Sequence, residues 1–564
     1  MVMLVSPRRL ALLAAALLAG CAAGGAPDAG AEGGRPPRIT AAGAYLAGRF
    51  ATAETDTAVA ADQLNEALRL APEEAEVLNR AFLANVLDGR PDAVRLARRL
   101  PQSELAGMLL AGSDAMAGRW DRAEARLRGM PRTGAAQVLQ PLLLAWVQMG
   151  HGNPDAAMAT LKPQIEGSRL RGLAALHAAM IADLANRPRE AERLVRLALA
   201  ESPETNLRMI QIAAGILNRV GKEAEATALI GALAAAGDDL SLVGAPETRR
   251  RLLQNRAVAS AVEGMAEAEL ALAGALRGQG APELTLLLAR LALRLRPDFT
   301  PALLIAADAL ADEKHPESAL ALLRGVREDD PLAAAVAMRR AALLDRLNRP
   351  EEAIAALRGL AAAYPQSLQP PARLGDLLRG RERYPEAAEA YGAALARVQR
   401  PGPEHWALFY ARGIALERGG DWPRAEADFN RALQLAPEQP YVLNYLGYTW
   451  VEHGTRLPEA RRMLERAAEL RPQDGNIADS LGWALFKLGD LPAATRWMEK
   501  AVELESRNSV INDHLGDVYW AGGRRIEAQY QWRRALTLEP EPGEAPKIAA
   551  KLRDGLPAGA TARP

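Results

Sequence analysis

The sequence predicts an all-α solenoid of antiparallel helix pairs, from a repeat of about 34 residues, a small residue at one fixed place in each repeat, and prolines that close the units. The small residues are Ala273, Ala307, Ala341, Gly375, Gly413, Gly447, Gly482 and Gly516, separated by 34, 34, 34, 38, 34, 35 and 34 residues. Twelve residues on from most of them stands an alanine, at Ala319, Ala353, Ala387, Ala425, Ala494 and Ala528, and in the longer unit it is thirteen on, at Ala460. Four further on comes a large side chain: Leu323, Leu357, Tyr391, Phe429, Leu464, Met498 and Trp532. Several units end at a proline, such as Pro297, Pro331, Pro437 and Pro540.

Each feature has a physical role. A small residue on the first helix (helix A) and an alanine on the second (helix B) let the pair approach closely, while the large residue fills the space beside them. Proline ends helix B because it cannot donate to the hydrogen-bond ladder. One such hairpin cannot bury its own apolar faces, so neighbouring units must stack.

These residues resemble the tetratricopeptide repeat. The resemblance implies a right-handed superhelical solenoid whose helix A positions not used for stacking line an inner groove. The strong array spans residues 262–542. Residues 41–234 hold weaker repeats: "GRFATAETDTAVAADQLNEALRLAP" (Gly48 to Pro72) fits one unit, and "RPDAVRLA", "RWDRAEARL", "NPDAAMATL", "RPREAERLV" and "GKEAEATAL" read as starts of five further second helices. Residues 235–261 break the period and read as an atypical connection or bent junction. Residues 543–564 read as a short capping helix, Pro546 to Arg553, and a disordered end.

The stretch "DSLGWALFKLG" (Asp479 to Gly489) carries two aromatics beyond its apolar stripe of Leu481, Ala484, Leu485 and Leu488. On a helical wheel Trp483 and Phe486 fall roughly 140–200° from Leu481, on the opposite side. Counted from Gly482 as position 8, the family pattern also puts Asp479, Trp483, Phe486 and Lys487 on the groove. Matching positions in adjacent units add Tyr410, Asn444, Tyr448, Asp513, Asp517 and Trp520 as partner-binding residues. Residues 401–540 hold sixteen of the twenty-five aromatic residues, a composition suited to holding a peptide. Packing against the next repeat is the competing reading for Trp483, Phe486 and Trp520, and the expected one for Trp450 and Trp532. Asp513 and Asp517 read as solvated carboxylates on an exposed face. Asp stands where the chaperone-binding members of the family carry a lysine for a C-terminal carboxylate, which argues against that ligand class.

The N-terminus reads as a secretory signal over residues 1–20, with Arg8 and Arg9 before an apolar run too short to span a bilayer. It ends in Leu18-Ala19-Gly20-Cys21, which resembles the bacterial lipobox. That resemblance implies lipidation of Cys21, the sole cysteine, and residues 21–40 then form a lipidated tether rich in Gly, Ala and Pro. By resemblance to enterobacterial sorting rules, Ala22 rather than Asp after the cysteine favours the outer membrane over the inner.

Lys and Arg together number 69, as do Asp and Glu, so no global field points to nucleic acid. The six histidines form no HExxH and no close pair, and there is no GxSxG or P-loop, so neither enzymatic activity, a metal nor a cofactor is expected. The segments "YVLNYLGYTWVEHG", "DSLGWALFKLG" and "INDHLGDVYWAGGRR" resemble proteobacterial outer-membrane tetratricopeptide lipoproteins. Some members of that group dock a periplasmic carboxy-terminal-processing protease and deliver substrates such as cell-wall hydrolases. The resemblance implies an adaptor facing the periplasm that binds periplasmic or envelope proteins. Alternatives are a scaffold for envelope polysaccharide export and, more weakly, a peptidoglycan or carbohydrate binder.

Overall fold

The computed structural model describes residues 39–167, 169–201, 207–235, 242 and 245–556. The expected signal, Cys21 and nearly all of the expected tether lie outside the described residues, as do much of 235–244 and the end of the tail. The described residues form 30 α-helices and no strand. No described helix is long and apolar enough to cross a membrane.

The chain divides into two compact units at Asp88 and Gly89. The first holds helices Ala41–Ala53, Thr57–Leu70 and Ala75–Leu87. Thr40 caps the first helix by accepting from the Gly43 N–H, and Asp56 caps the second by accepting from Val59. Gly48 lies so close to Leu64 that a Cβ there would stand 2.6 Å from Leu64 Cγ. That contact is the close approach expected of a repeat with a small residue on helix A.

In the second unit the expected second-helix starts head real helices: Asp92–Ala97, Trp120–Arg128, Pro154–Gly167, Pro188–Ala200 and Glu223–Ala235. The last four of these pack on the helix before them in the chain. In the glycine-bearing units of the C-terminal array the small residue of helix A faces the large residue of its own helix B. A Cβ on Gly375, Gly413, Gly482 or Gly516 would stand 2.7, 2.7, 2.9 or 2.5 Å from Tyr391, Phe429, Met498 or Trp532. Each of those four large side chains is completely buried. The A-to-B turns need a left-handed residue, supplied by glycine at Gly489 (φ 83°) and Gly523 (φ 77°).

The break in the period is more than a connection. It contains the helix Pro246–Gln254, and after it helix Ala261–Leu276 packs on helix Gly134–Gly150, far back in the chain. Gly264 seats against the Trp146 ring, where a Cβ would come within 2.2 Å. Trp146 in turn donates from Nε1 to His177 Nδ1 at 2.9 Å, and burial pushes the His177 pKa down to about 3. Arg208 and Glu267 form a largely buried ion pair across the same junction. The first pair of the array thus finds its stacking partner among helices that precede the break.

Candidate partner-binding groove

Three successive helices A carry the site: Pro440–Glu452, Gly475–Lys487 and Ser509–Ala521. The middle one starts where Asp474 accepts from the Asn476 and Ile477 N–H groups, and its Leu481, Ala484 and Leu485 are buried. Trp483 projects from it half-buried and is held from several sides. Its Nε1 donates to Glu452 Oε1 at 2.7 Å. The His514 ring stacks on it with centroids 4.2 Å apart and planes 18° from parallel. Lys487 Nζ lies 4.9 Å from the ring centroid. An indole fixed in this way loses little rotamer freedom on binding, as a recognition aromatic should.

His514 also contacts both carboxylate oxygens of Asp479 from Nδ1 at 3.0 Å. Burial alone would lower the His514 pKa, but Asp479, with Asp513 and Asp517, outweighs it and leaves the imidazole above its ordinary value. Tyr448 stands beside this cluster, its pKa raised by burial and then by the Glu452 and Asp479 carboxylates. Asn444 is half-buried and its Oδ1 has no hydrogen-bond partner among the described residues. Tyr410 lies one repeat upstream, its ring centroid 6.0 Å from those of Trp406, Phe429 and Tyr445. Burial pushes its pKa up to about 12.

Several of the expected groove residues are placed otherwise. Phe486 is 4% exposed and packs beside Trp483, with ring centroids 5.4 Å apart. Asp479 is buried as the partner of His514. Asp513 and Asp517 are not solvated: both are buried, and Lys551 Nζ of the terminal helix Ala545–Asp554 lies 2.7 Å from each. Trp532 Nε1 also donates to Asp517 at 2.9 Å. Trp520 is half-buried beneath Gly555, where a Cβ would stand 2.0 Å from the indole. The reason is common to all of them. Each helix A stacks on the next helix, so part of its inner face is covered by that neighbour. Trp450 and Trp532 are buried as expected.

The exposed part of the site is therefore Trp483, Lys487 and Glu452, with Tyr448 near Glu452 and Asn444 and Tyr410 half-buried on the preceding helices A. His514 is legible in the sequence only in part: it is position 6 of the next helix A, and the repeat length places it against Asp479. A second groove, of about 1240 Å³, has walls from helices Pro246–Gln254, Gln369–Gly380 and Trp406–Arg418. It draws on residues far apart in the chain and leaves no local signal. No group of three His, Cys, Asp or Glu able to hold a metal ion occurs among the described residues.

The family model described as tetratricopeptide repeat matches residues 303–367, 373–440 and 454–508. The array is a tetratricopeptide-repeat solenoid. Over 89 residues the chain is 33% identical to the TPR repeat-containing protein PA4667 of Pseudomonas aeruginosa, and the match covers 16% of this chain and 15% of that one. A tetratricopeptide repeat protein from Parabacteroides merdae is 16% identical, with a TM-score of 0.38 over 45% of this chain and 98% of its own. YrrB, described as a TPR protein with an unusual peptide-binding site, is 20% identical, with a TM-score of 0.27 over 34% of this chain and 97% of its own. The APC/C hetero-tetramer Cut9–Hcn1 matches at 13% identity and a TM-score of 0.36, over 92% of this chain and 97% of that one. Tetratricopeptide repeats are generally non-enzymatic scaffolds for binding other proteins, and the matched residues carry that repeat.

Proposed function

We propose that the chain is a non-catalytic adaptor that holds a partner protein against the Trp483 ledge of its C-terminal array. In this reading Cys21 is lipidated, the chain is anchored in the outer membrane facing the periplasm, and it brings a carboxy-terminal-processing protease to cell-wall hydrolases. The observation that carries the binding role is Trp483: three partners hold its indole, yet it remains half-exposed. The lipobox and the family resemblance support the anchor and the protease.

The test is retention of envelope proteins by the chain from residue 22 onward, identified by mass spectrometry. Wild type is compared with Trp483→Ala/Tyr448→Ala and with Trp497→Ala, a partly buried aromatic on helix B. The adaptor reading expects a processing protease or hydrolase to be retained by wild type and Trp497→Ala and lost by the double variant. Retention of the same set by all three, with unchanged circular dichroism, would sink the groove assignment. Retention of integral-membrane export components instead would replace the protease reading with the polysaccharide scaffold.

A further inference from the structure

Away from the Trp483 ledge, a pocket of about 110 Å³ sits where the period breaks, between helices Leu207–Arg219, Pro246–Gln254 and Thr300–Asp312. Four arginines line it: Arg208, Arg251, Arg256 and Arg296. Two of them are crowded together. The guanidinium carbons of Arg208 and Arg296 lie 5.1 and 5.0 Å from the centroid of the buried Phe299 ring. Both also donate to the single carbonyl of Ala257, Arg208 from Nη2 and Arg296 from Nη1, each at 3.0 Å.

Their counter-charges leave capacity unused. Arg208 donates from Nε to Glu267 at 3.0 Å and from Nη1 to Gln211 at 2.7 Å. Arg296 has only looser ion pairs, 3.4 Å to Glu263 and 3.7 Å to Asp298. Arg251 uses Nε on Glu247 and Nη1 on the Asp329 carbonyl. Arg256 reaches Asp183 from Nε at 3.6 Å and its carbonyl from Nη2 at 3.4 Å. That leaves Nη2 of Arg251, Nη2 of Arg296 and Nη1 of Arg256 without a hydrogen-bond partner among the described residues.

Two carboxylates on the wall oppose an anion. Asp330 is already engaged by the Thr300 hydroxyl and the Leu332 N–H, both at 2.7 Å, and Asp298 is largely exposed. Four guanidinium groups and two carboxylates thus line the pocket, one carboxylate hydrogen-bonded and the other largely exposed, while Glu267, Glu263, Glu247 and Asp183 pair with the arginines from outside the lining. Burial, followed by the neighbouring Arg296, lowers the Arg208 pKa to about 9, as expected where positive charge is crowded away from water.

We propose that this pocket binds an oxyanion, held by the spare N–H groups of Arg251, Arg256 and Arg296 against the inner wall formed by Arg208. Planar guanidinium forks match carboxylate and phosphate oxygens alike, and charge-assisted bonds of this kind are strong where water is partly excluded. The two sources are an acidic group on a bound protein segment and free phosphate. The pocket shares Arg251, Asp330 and Pro331 with the 1240 Å³ groove, so either can enter from that side.

The test is calorimetric titration and thermal unfolding of the full chain with inorganic phosphate and, separately, acetate as probes, each at matched ionic strength. The expected result is saturable binding of at least one probe with Kd of about 1 mM or below, and a raised Tm. Saturation by phosphate alone assigns the site to a tetrahedral dianion, and saturation by acetate alone to a carboxylate. Arg251→Gln, at a partly exposed position, is expected to weaken binding about tenfold with an unchanged circular dichroism spectrum. Arg256→Gln provides the second measurement should Arg251→Gln misfold. No saturable binding of either probe, or equal binding by folded Arg251→Gln and Arg256→Gln, overturns the proposal.

Discussion

Asp479 and Asp513 occupy the same position in successive helices A, yet the helix stacked on each supplies a different partner. Helix Ser509–Ala521 brings His514 to Asp479, whereas the terminal helix Ala545–Asp554 brings Lys551 to Asp513 and also to Asp517. At the first junction the histidine also stacks on Trp483, so the ion pair helps to position the indole proposed to meet a partner. At the second, one lysine serves two buried carboxylates. Burial and Asp513 outweigh Lys551 at Asp517 and raise its pKa, while Lys551 is itself raised because the two carboxylates outweigh its own burial. An acid at this position is thus a joint between repeats, and the basic residue opposite decides what the joint does.

The largest effect should come from the packing that both junctions share. Trp532 fills the space opened by Gly516, and Trp532→Ala removes a completely buried indole, at a cost of about 3–5 kcal/mol. Urea denaturation of the variant should show it, with amide exchange rising first in residues 509–554. An unchanged midpoint would mean that the last repeat does not unfold with its neighbours.

Lys551→Ala comes next. It strands two buried carboxylates and should lower stability of the terminal repeat by about 2–4 kcal/mol. Adding Asp513→Asn and Asp517→Asn should recover part of that loss. If the triple variant is no more stable than Lys551→Ala, the lysine acts through packing rather than charge.

A smaller effect separates the junctions by pH. The His514 pKa is raised above 6.5 in the folded chain, so its protonated form contributes stability that is complete below that value and declines as pH rises through the folded pKa. The groups facing it are Asp479, Asp513 and Asp517, with Lys551 beyond them and Glu452 and Lys487 around the shared indole. Wild-type stability and tryptophan fluorescence should both change as pH rises above about 6.5. His514→Gln should flatten both curves, and a profile unaltered by that change would remove the histidine from the joint. The smallest effect is expected of Tyr448→Phe. It should leave stability within about 0.5 kcal/mol while weakening partner binding, since only the hydroxyl, near the Glu452 and Asp479 carboxylates, is removed and the ring is kept.

Much of the array is legible in the residues alone. Gly482 and Met498, or Gly516 and Trp532, announce a close helix pair because a missing side chain on one helix must be matched by a large one on the other. The groove is less so. A wheel places Phe486 and Trp483 on one side of their helix, but only the packed structure decides that Phe486 is 4% exposed while Trp483, stacked on His514, stays half-buried. Asp513 and Asp517 read as solvated carboxylates because their cation, Lys551, comes from a helix after the last repeat.

The sequence by itself determined the repeat, its pairing and its turns, because these depend on residues within one unit: a small position, a large one sixteen or seventeen further on, a left-handed turn residue and a proline. Only the tertiary structure decided what those units stack upon. Helix Ala261–Leu276 packs on helix Gly134–Gly150, and the Arg208–Arg296 pocket forms where the stacking breaks, through contacts between residues tens to more than a hundred positions apart. Such contacts leave no period in the sequence, since each is made once.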